Sequence, residues 1–416
     1  MLRKHVVWLL LIGLLAGGMG TGQSRVYADP QPLGAVKTRS TIYTPDKVQA
    51  ARQNVQNYSW AESLKNAAVD KADRYLAKGY DFLWNVVPPQ SLPRSTSANL
   101  QLGSPVTGTA IYQYGDHPWR ADPLNEPWKI TDPSSGYKFP TNDFQSYYES
   151  GLNSHGIFDP SLADPAYLVN ESYPEKGPTW GVDNGSGWVD ENGNTWAFIG
   201  LYTGYYIWYG QGKALIEDAV RAFRDAYLYT GDVRYARGGV AMLDRIADVY
   251  PSLVLNRYDR SIYSNSDKGT GLGKAVGSIW ETMLVKDFLS AYDAFFPAMG
   301  DAQLIAFLSA KAQQFGLDNP KSSADAIRKN IEDGIVRQVF PAVKGMQIYG
   351  NTGMHQSALT MAAVVLDSLP ETGQWLDYVM QAGQPTTTGG LWIEFDVTDR
   401  VRTEALGDDR FSFRVS

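Results

Sequence analysis

The chain has no cysteine and only four histidines among its 416 residues. Missing thiols exclude disulfides, thiolate nucleophiles and cysteine-ligated zinc. Basic side chains are in deficit as well, 37 Lys+Arg against 44 Asp+Glu, for a net charge of −7. A balance of that sign argues against a nucleic-acid partner, and an anionic ligand would need a locally basic cleft. Long apolar runs are also lacking. The run Val6 to Leu15 is too short to span a bilayer, and no later segment qualifies. No period is regular enough to mark an internal repeat. Gly269-Thr270-Gly271-Leu272-Gly273 lacks the strand–turn–helix context of a nucleotide-binding loop.

What is present begins with a leader. Arg3, Lys4 and His5 precede the apolar run, and Val26-Tyr27-Ala28 ends residues 1–28 as a small-residue cleavage signal. The expectation is a secreted, extracellular protein with no membrane contact after the leader is removed. Without Arg3, Lys4 and Arg25 the basic count falls from 37 to 34 against 44 acids, a net charge of about −10. An exported chain without disulfides fits a secreted bacterial enzyme better than a small extracellular module.

Residues 29–58 read as a lead-in. Trp60 to Ala77 repeats apolar residues at helical spacing (Trp60, Leu64, Ala68, Ala72, Leu76). From Gly79 to Asn194 the pattern gives way to Pro, Gly, Asn, Asp and aromatic residues, a composition of structured loops that in a compact domain carries function. Helical patterns then return over Lys213–Tyr229, Val233–Val249, Lys274–Phe296, Ala302–Phe315, Ala324–Phe340, Thr352–Ser368 and Gln374–Gln381. Connections as short as Thr230-Gly231-Asp232 predict antiparallel helical hairpins stacked side by side. The expected fold over 59–385 is mainly α: an incomplete (α/α) toroid of helical hairpins with long aromatic-rich loops. A short β-strand tail fragment follows over 391–416, where Leu391–Val401 and Phe411–Val415 alternate as strands.

The segment Tyr349-Gly350-Asn351-Thr352-Gly353-Met354-His355-Gln356 runs into an apolar helix. Asn351 and His355, four residues apart at a helix mouth, can project from one face. An amide donor beside an imidazole suits a site that grips a carboxylate and removes the neighbouring proton. The reading set against it is a helix-start histidine after a glycine-shaped turn. Aromatic residues are dense in the loops, among them Trp119, Trp128, Trp188, Tyr205 and Tyr209, within a chain of 12 Trp and 25 Tyr. Such rings stack on sugars while their polar tips bond hydroxyls, although more than half are expected simply to pack the loops onto the helices. Arg120, Lys129 and Lys138 lie among them and could supply positive charge.

Trp128-Lys129-Ile130, Ser135–Phe144 and Tyr147–Leu152 resemble the N-terminal half of heparinase II/III-like polysaccharide lyases. The segments around Ala219–Ala222, Trp280-Glu281, Ala291-Tyr292-Asp293 and Gly350–Gln356 fit as well, so the likeness spans roughly 55–385. It implies an incomplete (α/α) toroid that cleaves uronate-containing acidic polysaccharides by β-elimination. On this resemblance Asn351 neutralises the uronate carboxylate, His355 is the base or proton shuttle, and Tyr349 is a candidate proton donor alongside Tyr205 and Tyr209. Gln356 is a second carboxylate donor, with Trp119, Trp128, Trp188, Tyr205, Tyr209 and Arg120 as substrate-binding residues. Relatives often place the Asn and His adjacent, whereas here they are four apart. Relatives also carry a later catalytic tyrosine and a β-sandwich, and no tyrosine follows Tyr378. The tail is similar to the end of DNRLRE-type carbohydrate-binding modules, as in a truncated or fused product.

Two other functions stay open at this point. One is a non-catalytic secreted carbohydrate-binding protein. The other is a glycoside hydrolase using two of Asp116, Asp143, Asp183, Asp190, Glu191 and Glu281. No cofactor and no catalytic metal is expected. The Asp183-Asn184-Gly185 and Asp190–Asn194 segments resemble calcium loops, but turns of the same composition are favoured.

Overall fold

A computed structural model describes residues 35–255, 272–351 and 353–381. The leader, the strand-like tail, Thr352 and the start of the Gly269–Gly273 run lie outside the described residues. Thirteen α-helices are found among them. In chain order they are α1 (Pro45–Asn57), α2 (Ser59–Leu76), α3 (Gly79–Asn85), α4 (Phe144–Ser150), α5 (Phe198–Leu201), α6 (Leu215–Thr230) and α7 (Val233–Val249). Then follow α8 (Ser278–Phe295), α9 (Ala302–Gln314), α10 (Ala324–Ile331), α11 (Val339–Lys344), α12 (Met354–Leu366) and α13 (Glu371–Gln381). Two short antiparallel hairpins decorate the long irregular region. β1 (Ile130–Thr131) pairs with β2 (Lys138–Phe139), and β3 (Trp188–Val189) with β4 (Thr195–Trp196). The protein is mainly helical, with no closed sheet among the described residues. No described helix is long and apolar enough to cross a membrane.

Packing follows the chain. Helix α1 lies on α2, α2 on α6, α6 on α7 and α8, α8 on α12, and α12 on α13. The turn between α6 and α7 is the one the sequence predicts. Gly231 takes φ 77° to close α6, and the Asp232 side chain accepts from Arg234 N at 2.9 Å to cap α7. Helix α7 is buried on nearly every face and touches α3, α6, α8, α9 and α10. Its Gly238-Gly239 pair makes this possible. A Cβ at Gly239 would stand 2.3 Å from the Phe295 ring, so only glycine allows that ring to reach the helix backbone.

Three departures from the sequence pattern have physical causes. The lead-in contains helix α1, which buries no residue and so shows no apolar stripe; Pro45 sets its first turn. Helix α8 begins four residues later than the pattern suggests because the Glu281 carboxylate gathers the backbone of the preceding turn. It accepts from Ala275 N, Val276 N and Gly277 N at 3.2, 2.8 and 2.8 Å, and from the Tyr250 hydroxyl at 2.8 Å. The pattern over 324–340 divides into α10, a π-turn at Glu332–Val336, and α11. At Gly334 a Cβ would fall 2.2 Å from the Ala247 carbonyl oxygen, so this turn lies directly against the α7 backbone.

The segment before α1 is tied into the core by two carboxylates. Glu332 accepts from Val36 N, Lys37 N and the Tyr292 hydroxyl. Asp293 accepts from Thr41 N, Ile42 N and Tyr43 N, and takes Lys37 Nζ at 2.8 Å, with both side chains fully buried.

Candidate functional site

Two histidines define two neighbourhoods that meet at the first turn of α8. The first is the 349–356 segment. Gly353, at φ 91°, caps α12, and Gln356 Oε1 accepts from Gly353 N at 2.9 Å. The carbonyl end of Gln356 is therefore spent on the helix start. Asn351 is exposed, and its backbone carbonyl receives Met354 N. His355 is half-buried and stacks on Tyr349, with centroids 5.1 Å apart and planes at 19°. Its Nδ1 is buried without a hydrogen-bond partner among the described residues. Burial lowers its pKa, and the Gly350 backbone, close but outside hydrogen-bond geometry, offsets part of that. Gly350 rests against Ile279 on α8, where a Cβ would meet Cγ2 at 3.4 Å.

The second neighbourhood centres on His117, in the loop Gly115-Asp116-His117-Pro118-Trp119. Its ring stacks on Tyr205 with centroids 4.3 Å apart and planes at 25°, and meets the edge of Trp280 at 5.9 Å. Trp280 follows Ile279 in α8 and lies 6.2 Å from Tyr209. The imidazole Nδ1 sits 3.3 Å from the Thr96 carbonyl. A carbonyl only accepts, so Nδ1 carries the proton and Nε2 keeps its lone pair in the neutral ring. Burial lowers the His117 pKa, and Lys213 acts in the same direction; the Thr96 contact and Asp116 oppose it. A niche of about 10 Å³ beside the ring, bounded by Thr96, Asn99, Tyr112 and Asp116, is large enough for one water-sized group.

Tyr205 and Tyr209 come from the segment after α5, where the backbone winds as a π-helix over Tyr202–Trp208. This turn passes so close to the 95 loop that a Cβ at Gly204 would stand 2.3 Å from Ser95 O. The π-winding turns Tyr205 toward His117, a placement that periodicity alone does not show. Both hydroxyls are held protonated. Burial raises the Tyr205 pKa, and burial pushes Tyr209 up to about 12, with Glu217 adding to each. Neither hydroxyl has a hydrogen-bond partner among the described residues. Glu217 fixes the turn that follows, accepting from Gly210 N at 3.1 Å and Gly212 N at 2.9 Å. Arg221 bridges Glu217 at 3.0 Å and Asp287 at 2.7 Å, so its charge is already matched by two carboxylates.

The remaining expected ligand-binding rings lie elsewhere. Trp119 is buried edge-on against Phe139 and Phe198, and its carbonyl accepts the Tyr206 hydroxyl. Trp128 packs among Phe144, Tyr148 and Tyr202 at 5.2, 4.8 and 5.3 Å. Trp188 joins Trp180 and Phe198 in an aromatic ladder. These three fasten the long irregular region to the helices, which is what large rings do where regular backbone pairing is scarce. Arg120 is exposed, with its guanidinium over Tyr114 at 5.6 Å. The structure thus brings together Tyr205 and Tyr209 in one group and Tyr349 and His355 in another. His117 is the residue that the sequence reading left out. The available signal was its position among the loop aromatics, between Asp116 and Pro118-Trp119.

The acids considered for hydrolysis or calcium are mostly occupied. Asp183 is fully buried and accepts from Gly185 N, Gly187 N and Ile199 N. Asp190 accepts from Asn192 N, Asn194 N and Trp196 Nε1. Asp143 caps α4 through Ser146, and Glu281 holds the turn before α8. No group of three His, Asp or Glu placed to hold a metal ion occurs among the described residues. No protein-family model matches this chain, and it has no match among curated proteins or solved structures.

Proposed function

We propose that this chain cleaves a uronate-containing acidic polysaccharide by β-elimination, on an incomplete (α/α) toroid of helical hairpins. The observation that carries the reading is the neutral His117 imidazole stacked on the protonated Tyr205, with Nδ1 turned to the Thr96 carbonyl. In β-elimination a base takes the proton at C5 of the uronate, the C4–O bond breaks, and an acid protonates the departing oxygen. His117 Nε2 has the free lone pair for the first step, and the Tyr205 hydroxyl has the proton for the last. The charge that develops on the uronate carboxylate calls for a neutral donor rather than a cation already paired, as Arg221 is. Asn351 supplies that amide from the exposed 350 loop, which also carries the stacked Tyr349–His355 pair. Tyr209 and Trp280 flank the sugar.

The test is to incubate the protein with a panel of uronate polymers and follow the ultraviolet absorbance of unsaturated ends. The expected outcome is an absorbing product that falls at least about 100-fold in His117→Ala and in Tyr205→Phe. New reducing ends without that absorbance would establish hydrolysis instead. Binding with neither signal would make this a non-catalytic carbohydrate-binding protein.

A further inference from the structure

At the opposite end of α6 and α8 from His117 lies a groove of about 660 Å³, within the range of sites that hold small ligands. The His117 neighbourhood uses Glu217 and Trp280, near the starts of these helices. The groove uses Tyr227 and Leu228, and then Phe296, at their far ends. At 1.5 Å per residue, the separation is about 15 Å along α6 and about 24 Å along α8. The third wall is α1, which presents Gln49, Gln53 and Gln56 to the groove. Their i, i+4, i+7 spacing sets three carboxamides in one row about 10 Å long. All three are exposed, and α1 buries no residue, so packing does not require this row.

The charge of the groove is the opposite of the chain's. Its lining contains two arginines, Arg39 and Arg52, and no Asp or Glu among the described residues, in a protein where acids outnumber bases 44 to 37. Arg52 donates to the Leu228 and Tyr227 carbonyls and has no carboxylate within ion-pair distance among the described residues. Arg39 reaches Asp367 only at 3.7 Å, with 76% of its side chain exposed. Positive charge with no acid in the lining, a row of neutral donor-acceptor groups and an aromatic floor from Tyr227 and Phe296 match one ligand chemistry: an anion rich in hydroxyls and carrying apolar ring faces.

We infer that this groove is a second binding site, separate from the reacting centre, for an acidic polysaccharide. The inference rests on the uronate reading above for the identity of the polymer. The groove holds a distant stretch of the same chain, which raises the local concentration of sugar at the enzyme without any change in the chemistry.

Full-length protein is titrated with polygalacturonate, alginate and hyaluronan, with neutral dextran and poly-glutamate as controls. The variants are Arg39→Gln alone and Arg39→Gln combined with Gln49→Ala, Gln53→Ala and Gln56→Ala. Each altered side chain is exposed, and alanine favours the helix, so unchanged melting temperatures are expected. The inference expects salt-sensitive binding of at least one uronate polymer, weakened about tenfold or more in the combined variant. Cleavage of short oligosaccharides should not change. Equal affinity in wild type and combined variant overturns it, as does binding of poly-glutamate as tight as that of the sugar polymer. Failure of every uronate polymer to bind also overturns it. Variant-sensitive binding without unsaturated product would uphold the groove and remove the elimination reading. Unsaturated product with variant-insensitive binding would do the reverse.

Discussion

The imidazole of His117 lies face to face with the Tyr205 ring, 4.3 Å between centroids, while its Nδ1 is turned to the Thr96 carbonyl. These two contacts fix both the ring plane and the tautomer of a base whose pKa is lowered by burial.

A lowered pKa means the neutral, proton-accepting form persists to pH values below the ordinary histidine range. The acid limb of kcat/KM should therefore fall below about pH 6.5. Lys213 pushes that pKa down and Asp116 pushes it up. Lys213→Gln should shift the limb to higher pH and Asp116→Asn to lower pH, with the melting temperature unmoved in both. Limbs that coincide with wild type in both variants would remove His117 as the titrating base.

Glu281 gathers the Tyr250 hydroxyl and three consecutive amides just before Trp280. Glu281→Ala would leave these buried donors unmatched, at a cost of about 3–5 kcal/mol. Tyr250→Phe removes only one donor and should cost about 1 kcal/mol. Denaturant unfolding gives both values. Equal losses would show that the hydroxyl, rather than the turn, is what Glu281 secures.

The Lys37–Asp293 pair is wholly buried at 2.8 Å, and Lys37 also donates to the Val365 carbonyl. Lys37→Met strands the Asp293 charge and should destabilise by about 3–5 kcal/mol, while Lys37→Met with Asp293→Asn recovers part of the loss. A double-mutant cycle with no coupling would contradict the pairing.

Legibility differed between the two neighbourhoods. The 349–356 segment could be read because its residues are contiguous: a glycine turn, an amide and an imidazole at the mouth of an apolar helix. Its roles were harder to read, since Gln356 looks like a ligand group and serves as a helix cap. His117, Tyr205 and Trp280 are far apart in sequence, and nothing local marks them as neighbours. The aromatic density of the loops was plain, but it did not separate Trp119 and Trp128, which fasten loops to helices, from Tyr205, which stacks on the histidine, and Tyr209, which lies beside Trp280.

By itself the sequence determined the helical class, most of the helix positions and the turn at Gly231-Asp232, because apolar periodicity and capping chemistry act over a few residues. It also determined what chemistry is excluded, through the absence of thiols. Tertiary structure alone decided which rings pack and which face a site. It decided that three carboxylates, Glu281, Asp293 and Glu332, bind backbone rather than ligand, and that a basic groove exists on an acidic protein. Those outcomes depend on which buried polar groups find partners across long stretches of chain, and that matching is settled only when the helices pack.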